Sequence, residues 1–361
     1  MNSYSLNDSP PKTKIVLLLC LLLFLTAVVF IGEFLTQRIP KAEYSKMKYA
    51  AEKMQTLIRT VYNARTEKGD GIDIMTDPLQ SGLIGVEFSP ITTTLGNLEA
   101  KHTALNADFA ALMVTWLTQC EVAENDRIAI QASASFPALT FAAIIACETL
   151  NLQPVISVSL GSSSYGANMS GFTYLDMEKI VLDSMILENE CGLITPGGTD
   201  DNGSSMWDGA QNILAQAIIR SGKSLFTPHT LRESIEKKLK YFNDDGEVRV
   251  FINIGGNHAS LGNGNCAYRI PSGLINHPLH CNPSRSEDGL IIAYNRSGIP
   301  VIHVLNIRDL AASYGLLFLP HRTQKAGESE VYYNQKKPYW FYALSLLIVL
   351  FWSMWIGRKK L

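Results

Sequence analysis

Three runs of small, polar and glycine residues hold most of the chemistry available to this chain. They are Ser133-Ala134-Ser135-Phe136-Pro137, Gly161-Ser162-Ser163-Ser164-Tyr165-Gly166-Ala167-Asn168 and Gly255-Gly256-Asn257-His258-Ala259-Ser260. Each follows an apolar run of strand length. Serine hydroxyls and unpartnered amides at a helix start donate hydrogen bonds and favour negative charge, so such loops suit a carboxylate or phosphate. The residues expected to contact a ligand are Ser133, Ser135, Ser162, Ser163, Ser164, Tyr165, Asn168, Gly255, Gly256, Asn257 and His258. The competing reading makes them caps and tight turns, which Ser and Gly form everywhere. Lys101 and Arg269 are further candidate anion contacts, set against the reading that they are solvated surface charges.

A nucleophilic reading is weaker. Ser135 (or Ser133), His258 and an acid such as Asp200 supply the residue types of a hydrolase triad, but no GxSxG elbow accompanies them. Other signals fail on inspection. Gly222-Lys223-Ser224 resembles the end of a P-loop, yet position 217 is Ala and a helical segment precedes it. Gly262-Asn263-Gly264-Asn265-Cys266-Ala267 is followed too closely by Pro271 and Gly273 to open the helix of a dinucleotide site. No HExxH occurs, and His277 and His280 sit in a Pro-rich turn, so no metal and no cofactor are expected.

The elements that must position these loops alternate in type. Residues 126–131 and 153–160 read as strands flanking a helix that begins at Pro137, a βαβ unit that implies a parallel sheet. Residues 247–254 and 298–306 repeat the strand pattern, and 205–221 and 231–242 read as helices. Residues 83–88 read as a further short strand, 89–108 as a polar loop with a Thr run, and Asp108 or Asn106 as the cap of a helix to Cys120. Residues 41–66 have helical spacing, with Met47, Ala51, Met54, Leu57, Ile58 and Val61 on one face. The fold class is α/β, with an open, mostly parallel Rossmann-like sheet whose ligands bind beyond the strands' carboxyl ends.

Both ends are apolar. Ile15 to Gly32 carries no charge, and its eighteen residues span about 27 Å as a helix, near the thickness of a bilayer core. Tyr339 to Ile356 is a second such run, edged by Tyr339, Trp340 and Tyr342 and by Trp352 and Trp355. The expected order is a tail (1–14), a transmembrane helix (15–32), an amphipathic helix and linker (33–78), the α/β domain (79–325), a linker (326–338), a second transmembrane helix (339–356) and a basic tail (357–361). Lys12, Lys14, Arg358, Lys359 and Lys360 favour cytoplasmic tails and an external body, although Arg38, Lys41, Lys46, Lys48, Lys336 and Lys337 lie on the body side. The 361 residues carry 31 Lys+Arg and 33 Asp+Glu, a formal charge of -2, which gives no polycation-type reason to expect nucleic acid. Of six cysteines, Cys120 and Cys147 fall in apolar helices and read as buried thiols. Cys266 and Cys281 could pair, which their spacing does not decide.

At these same loops the chain resembles the poly-gamma-glutamate system protein family, bacterial proteins associated with membrane machinery that makes or exports that polymer. The residues are GLIGVEFSPITTTLGNLEAKHTALNADFAAL (82–112), IQASASFPAL (130–139), SLGSSSYGANMSGFTYLDME (159–178) and NIGGNHASLG (253–262). The resemblance covers about residues 80–320 and brings no catalytic assignment. It implies an accessory component of the bacterial inner or plasma membrane, beside the synthetase rather than acting as the ligase. The expected partners are the membrane, other membrane proteins of the system, and an anionic polymer or carboxylate-bearing small molecule. The alternatives are an enzyme that cuts or transfers the polymer with a serine or water nucleophile, and a structural scaffold.

Overall fold

Short apolar runs rich in Val and Ile alternate with helical periods through most of the chain, and that alternation sets the architecture. The computed structural model describes residues 12–69, 71–264, 266–280, 288–318 and 324–358. Residues 1–11 of the expected N-terminal tail, residues 359–361 of the basic tail, and Cys281 lie outside the described residues. In chain order the first elements are α1 (Lys12–Leu35), β1 (Gln37–Pro40), α2 (Tyr44–Glu67), β2 (Thr92–Thr94), α3 (Leu98–Ala104) and α4 (Asp108–Gln119). The central ones are β3 (Arg127–Ser133), α5 (Pro137–Thr149), β4 (Gln153–Ser159), β5 (Ser162–Ser163), β6 (Asn168–Met169), β7 (Phe172–Thr173), α6 (Tyr174–Asp183) and β8 (Leu193–Thr195). There follow α7 (Ala210–Ser221), α8 (Leu231–Asn243), β9 (Val248–Ile254), α9 (His258–Leu261), β10 (Gly273–Ile275) and α10 (Leu290–Arg296). The last are β11 (Val301–Val304), α11 (Ile307–Ser313), β12 (Tyr333–Lys336) and α12 (Tyr339–Arg358).

The chain divides into two units, one joining its ends (to Lys41 and from Tyr333), the other running Ala42–Tyr332. In the first, β1 and β12 pair antiparallel, Gln37 opposite Lys336 and Pro40 opposite Tyr333. The segment expected as a linker at 326–338 therefore contributes a strand. Gly32 of α1 lies against the Tyr342 ring of α12, where a larger residue would collide. One helix among the described residues, Val16–Leu35, is long and apolar enough to cross a membrane; Tyr339–Met354 is a shorter apolar helix.

In the second unit six strands form one sheet in the order β10-β11-β9-β3-β4-β8. All its pairings are parallel except the edge pair β10–β11. Counted along the chain, the parallel strands lie in the order 3-2-1-4-5, the Rossmann arrangement, whose direction of winding reverses between β3 and β9. Apart from Arg127 and Arg249 at their starts, β3 and β9 are buried, mainly apolar runs in which Gln131 and Asn253 are the buried polar residues before the carboxyl ends, as expected where helices cover a parallel sheet. Phe251 of β9 stacks on Tyr294 of α10, ring centroids 4.7 Å apart, and meets Phe242 of α8 at 6.1 Å. The helix α2 buries Met47, Ala51, Met54, Leu57 and Val61 in this unit, so the body begins near residue 42 and not at 79.

Three local readings change. Residues 83–88 form no strand: Gly85 donates to the Tyr165 carbonyl and Tyr165 to that of Val86, so this stretch pairs with a loop instead of a ladder. The Thr run is not loop, since Thr92–Thr94 pairs in parallel with Ser162–Ser163. Residues 98–104 are helical, capped by Asn97 Oδ1, which accepts the Ala100 amide at 2.9 Å. At α4, Asn106 Oδ1 accepts the Asp108 amide at 3.0 Å. Asp108 itself is buried and accepts from the Tyr332 hydroxyl at 2.5 Å, so it fastens the end of the unit instead of capping the helix.

Candidate functional site

The carboxyl ends of β3 and β9 flank the switch point, and a cavity of about 980 Å³ opens there. Of the eleven residues expected to contact a ligand, Ser133, Ser135, Ser163, Gly256, Asn257 and His258 line it. Three loops far apart in sequence thus meet at one rim because parallel strands deliver all their carboxyl ends to the same side. The other five brace the loops. Asn168 is fully buried, its Oδ1 accepting the Val86 amide at 3.0 Å and its Nδ2 donating to the Thr92 hydroxyl at 2.9 Å. Ser162 donates to the Ser163 carbonyl at 2.8 Å, and the Ser164 amide to the Thr94 carbonyl at 3.0 Å. Tyr165 holds a left-handed turn with φ 63°. Gly255 has φ +85°, and a Cβ there would stand 2.6 Å from Ser133 Oγ, so this turn requires glycine.

Lys101 is the residue the sequence pattern understated. It is 3% exposed, so it is no solvated surface charge. Its Nζ donates to the Ser135 carbonyl, lies 2.8 Å from Ser163 Oγ and sits 3.8 Å above the Phe136 ring centroid. Burial pulls its pKa from 10.5 down to about 7. The signal that would have found it is helical: with 98–104 read as a helix, Lys101 shares a face with the buried Ala104 and Leu105. Arg269 is exposed and does not line the cavity.

Below the rim lies a buried polar network. Asp201 and Lys238 are both 0% exposed and form an ion pair at 2.6 Å. Asp201 also accepts from Ser159 at 2.7 Å, Thr195 at 3.0 Å and Ser234 at 2.6 Å. Burial would raise the Asp201 carboxyl, but Lys238 and the hydroxyls outweigh it and hold the group below the usual carboxylate range. Asn257 Nδ2 donates to Ser159 Oγ at 2.5 Å, and Asn257 Oδ1 accepts the Ser260 amide at 3.2 Å. This network therefore fixes the Asn257 loop to β4 and α8. Asp200 and Asp201 take φ of 52° and 60°, a pair of left-handed non-glycine residues held in place by these bonds.

The elements of the triad reading are near one another but joined otherwise. His258 Nδ1 accepts the Asp200 backbone amide at 2.9 Å, so Nε2 carries the proton and donates to Asn263 Oδ1 at 2.8 Å. The imidazole engages Asp200 and Asn263 and neither serine. Ser135 Oγ accepts the Ser163 amide at 2.9 Å, and Ser133 Oγ accepts the Ser135 amide at 3.3 Å. The walls also include Thr93, Asn97, Ser159, Ser205 and Asn306, none of them expected, while Leu95 and Tyr268 stand exposed at the mouth.

The Cys266 thiol is disulfide-bonded, and Cys20, Cys120, Cys147 and Cys191 are free. No protein-family model matches this chain, nor does any curated protein or solved structure.

Proposed function

We propose that this chain is a membrane-anchored accessory component of a bacterial poly-gamma-glutamate biosynthesis or export system. In this reading its cavity holds the polymer, its end or a carboxylate-bearing precursor. The observation that carries it is the charge of the lining: Lys101 and His258 are its nitrogen bases, and no Asp or Glu is among the described residues that line it. Around them stand Ser, Thr and Asn side chains that donate hydrogen bonds, an arrangement that favours a carboxylate. The segments that resemble the family, 82–112, 130–139, 159–178 and 253–262, supply most of the lining, Lys101, Ser163 and His258 included, and this supports polymer over other anions.

In the same reading α1 and α12 form a two-span hairpin in the inner or plasma membrane with the body outside. Pairing of β1 with β12 brings the two apolar helices to one place, and aromatic residues edge α12. A disulfide at Cys266 suits an oxidising compartment.

Titration of the purified full-length chain in detergent with poly-gamma-glutamate of defined length tests the reading. Binding should weaken with salt and as pH rises through about 7. Lys101→Met and Asn257→Ala should each weaken it about tenfold, or ~1.4 kcal/mol. Unchanged affinity in both variants would end the assignment. A cysteine placed at Asp244 should react with an impermeant maleimide in intact cells; reaction only after lysis would place the body inside.

A further inference from the structure

We propose that Ser163 and Lys101 form an acyl-transfer dyad that hydrolyses an amide bond in a carboxylate-bearing substrate held in this cavity. Both side chains line the cavity, and Lys101 Nζ lies 2.8 Å from Ser163 Oγ, within reach for proton transfer. Ser163 differs in this from its neighbours. Ser133 and Ser135 spend their oxygens on backbone amides, and His258 is turned to Asp200 and Asn263. A serine hydroxyl is a weak nucleophile until a base takes its proton. Lys101 is fit to be that base because burial, the cause of its lowered pKa, leaves a large neutral fraction near pH 7. A neutral amine keeps two N–H groups, one donated to the Ser135 carbonyl, and one lone pair for the Ser163 hydroxyl.

The step balances without any group from outside except water. As Ser163 Oγ bonds to the substrate carbonyl carbon, its proton passes to Lys101 Nζ. Collapse of the tetrahedral oxyanion breaks the C–N bond, and the ammonium of Lys101 returns the proton to the leaving amine. Water then attacks the acyl-serine, gives a proton to Lys101 and releases a carboxylic acid, while Lys101 reprotonates Ser163 Oγ. Ser135 is a positioning residue: its Oγ holds the Ser163 amide at 2.9 Å and its carbonyl holds Lys101. The identity of the substrate as a polyamide with carboxylates rests on the function proposed above. The dyad itself does not.

The experiment uses the full-length chain in detergent, a fluorophosphonate probe and poly-gamma-glutamate. Stoichiometric labelling is expected at Ser163, located by peptide mass spectrometry. The polymer should shorten, at a rate that rises with pH through about 7. Ser163→Ala and Lys101→Met should abolish both while polymer still co-sediments with Ser163→Ala. Lys101→Arg, which keeps the charge but supplies no base, should remain inactive, and Ser135→Ala should slow turnover without moving the pH midpoint. Absence of label in a chain that binds polymer overturns the dyad and leaves the binding function standing. Label without shortening overturns the substrate class. Label and ester hydrolysis in a chain that does not bind the polymer sink the binding function and leave the dyad intact.

Discussion

Replacing Lys101 with Met removes a buried amine whose titration sets a pH dependence of stability. In the unfolded chain the amine protonates at its ordinary 10.5; in the folded chain it does so near 7. Each unit is worth ~1.4 kcal/mol, so burying the charged form costs about 5 kcal/mol. Between pH 7 and 10.5 the unfolded chain binds more protons than the folded one, so stability rises with pH in that window and is flat below it. From pH 7 to pH 9 the rise from this residue alone is about 2 kcal/mol. Lys101→Met has no such term. Guanidinium unfolding of wild type and variant, followed by tryptophan fluorescence at half-unit pH steps, gives the difference in unfolding free energy, in which the other titrations cancel. That difference should move by about 2 kcal/mol in favour of wild type across pH 7 to 9. A flat difference, or a lysine Cε resonance at Lys101 titrating at its ordinary value, would show that the amine is hydrated and would refute the placement of α3 against the Ser135 loop.

Three further outcomes follow from named contacts. Asp201→Asn leaves Lys238 charged and buried without its counter-ion, and should lower stability by about 3–5 kcal/mol in urea unfolding. A loss under 1 kcal/mol would mean that water reaches the pair. Gly255→Ala forces a Cβ against Ser133 Oγ at positive φ and should cost about 2 kcal/mol while weakening ligand binding; an unchanged melting midpoint would count against the tight turn. Cys266→Ser removes the disulfide and should lower the unfolding midpoint by the equivalent of about 2–4 kcal/mol, with wild type falling to the same value after reduction. Equal midpoints with and without reductant would show that the bond carries no stability.

Much of the sheet was legible because buried parallel strands are written as short, mainly apolar runs rich in Val and Ile. Residues 127–133, 153–159, 248–254 and 301–304 all lie within or overlap stretches that read as strands, and Pro137 marks the start of α5. The helix expected from residue 205 begins instead at Ala210, because Gly209 adopts a left-handed conformation just ahead of it. Very short strands that pair across distant positions, such as Thr92–Thr94 with Ser162–Ser163, leave no periodic trace, since two or three residues are too few to show a period.

By itself the sequence determined the alternation of strand and helix, the apolar helix near the N-terminus, and the loops that end the strands. It could do so because periodicity and turn chemistry are local properties of the chain. Only the tertiary structure decided that six of those loop residues share one cavity with Lys101, that Asn168 and Asp201 brace the site from behind, and that His258 turns to Asp200 and Asn263. Apart from the His258–Asn263 contact, those relations join residues tens to more than a hundred positions apart. Which of them meet depends on the strand order and on what each helix buries, and neither is encoded in any local stretch of residues.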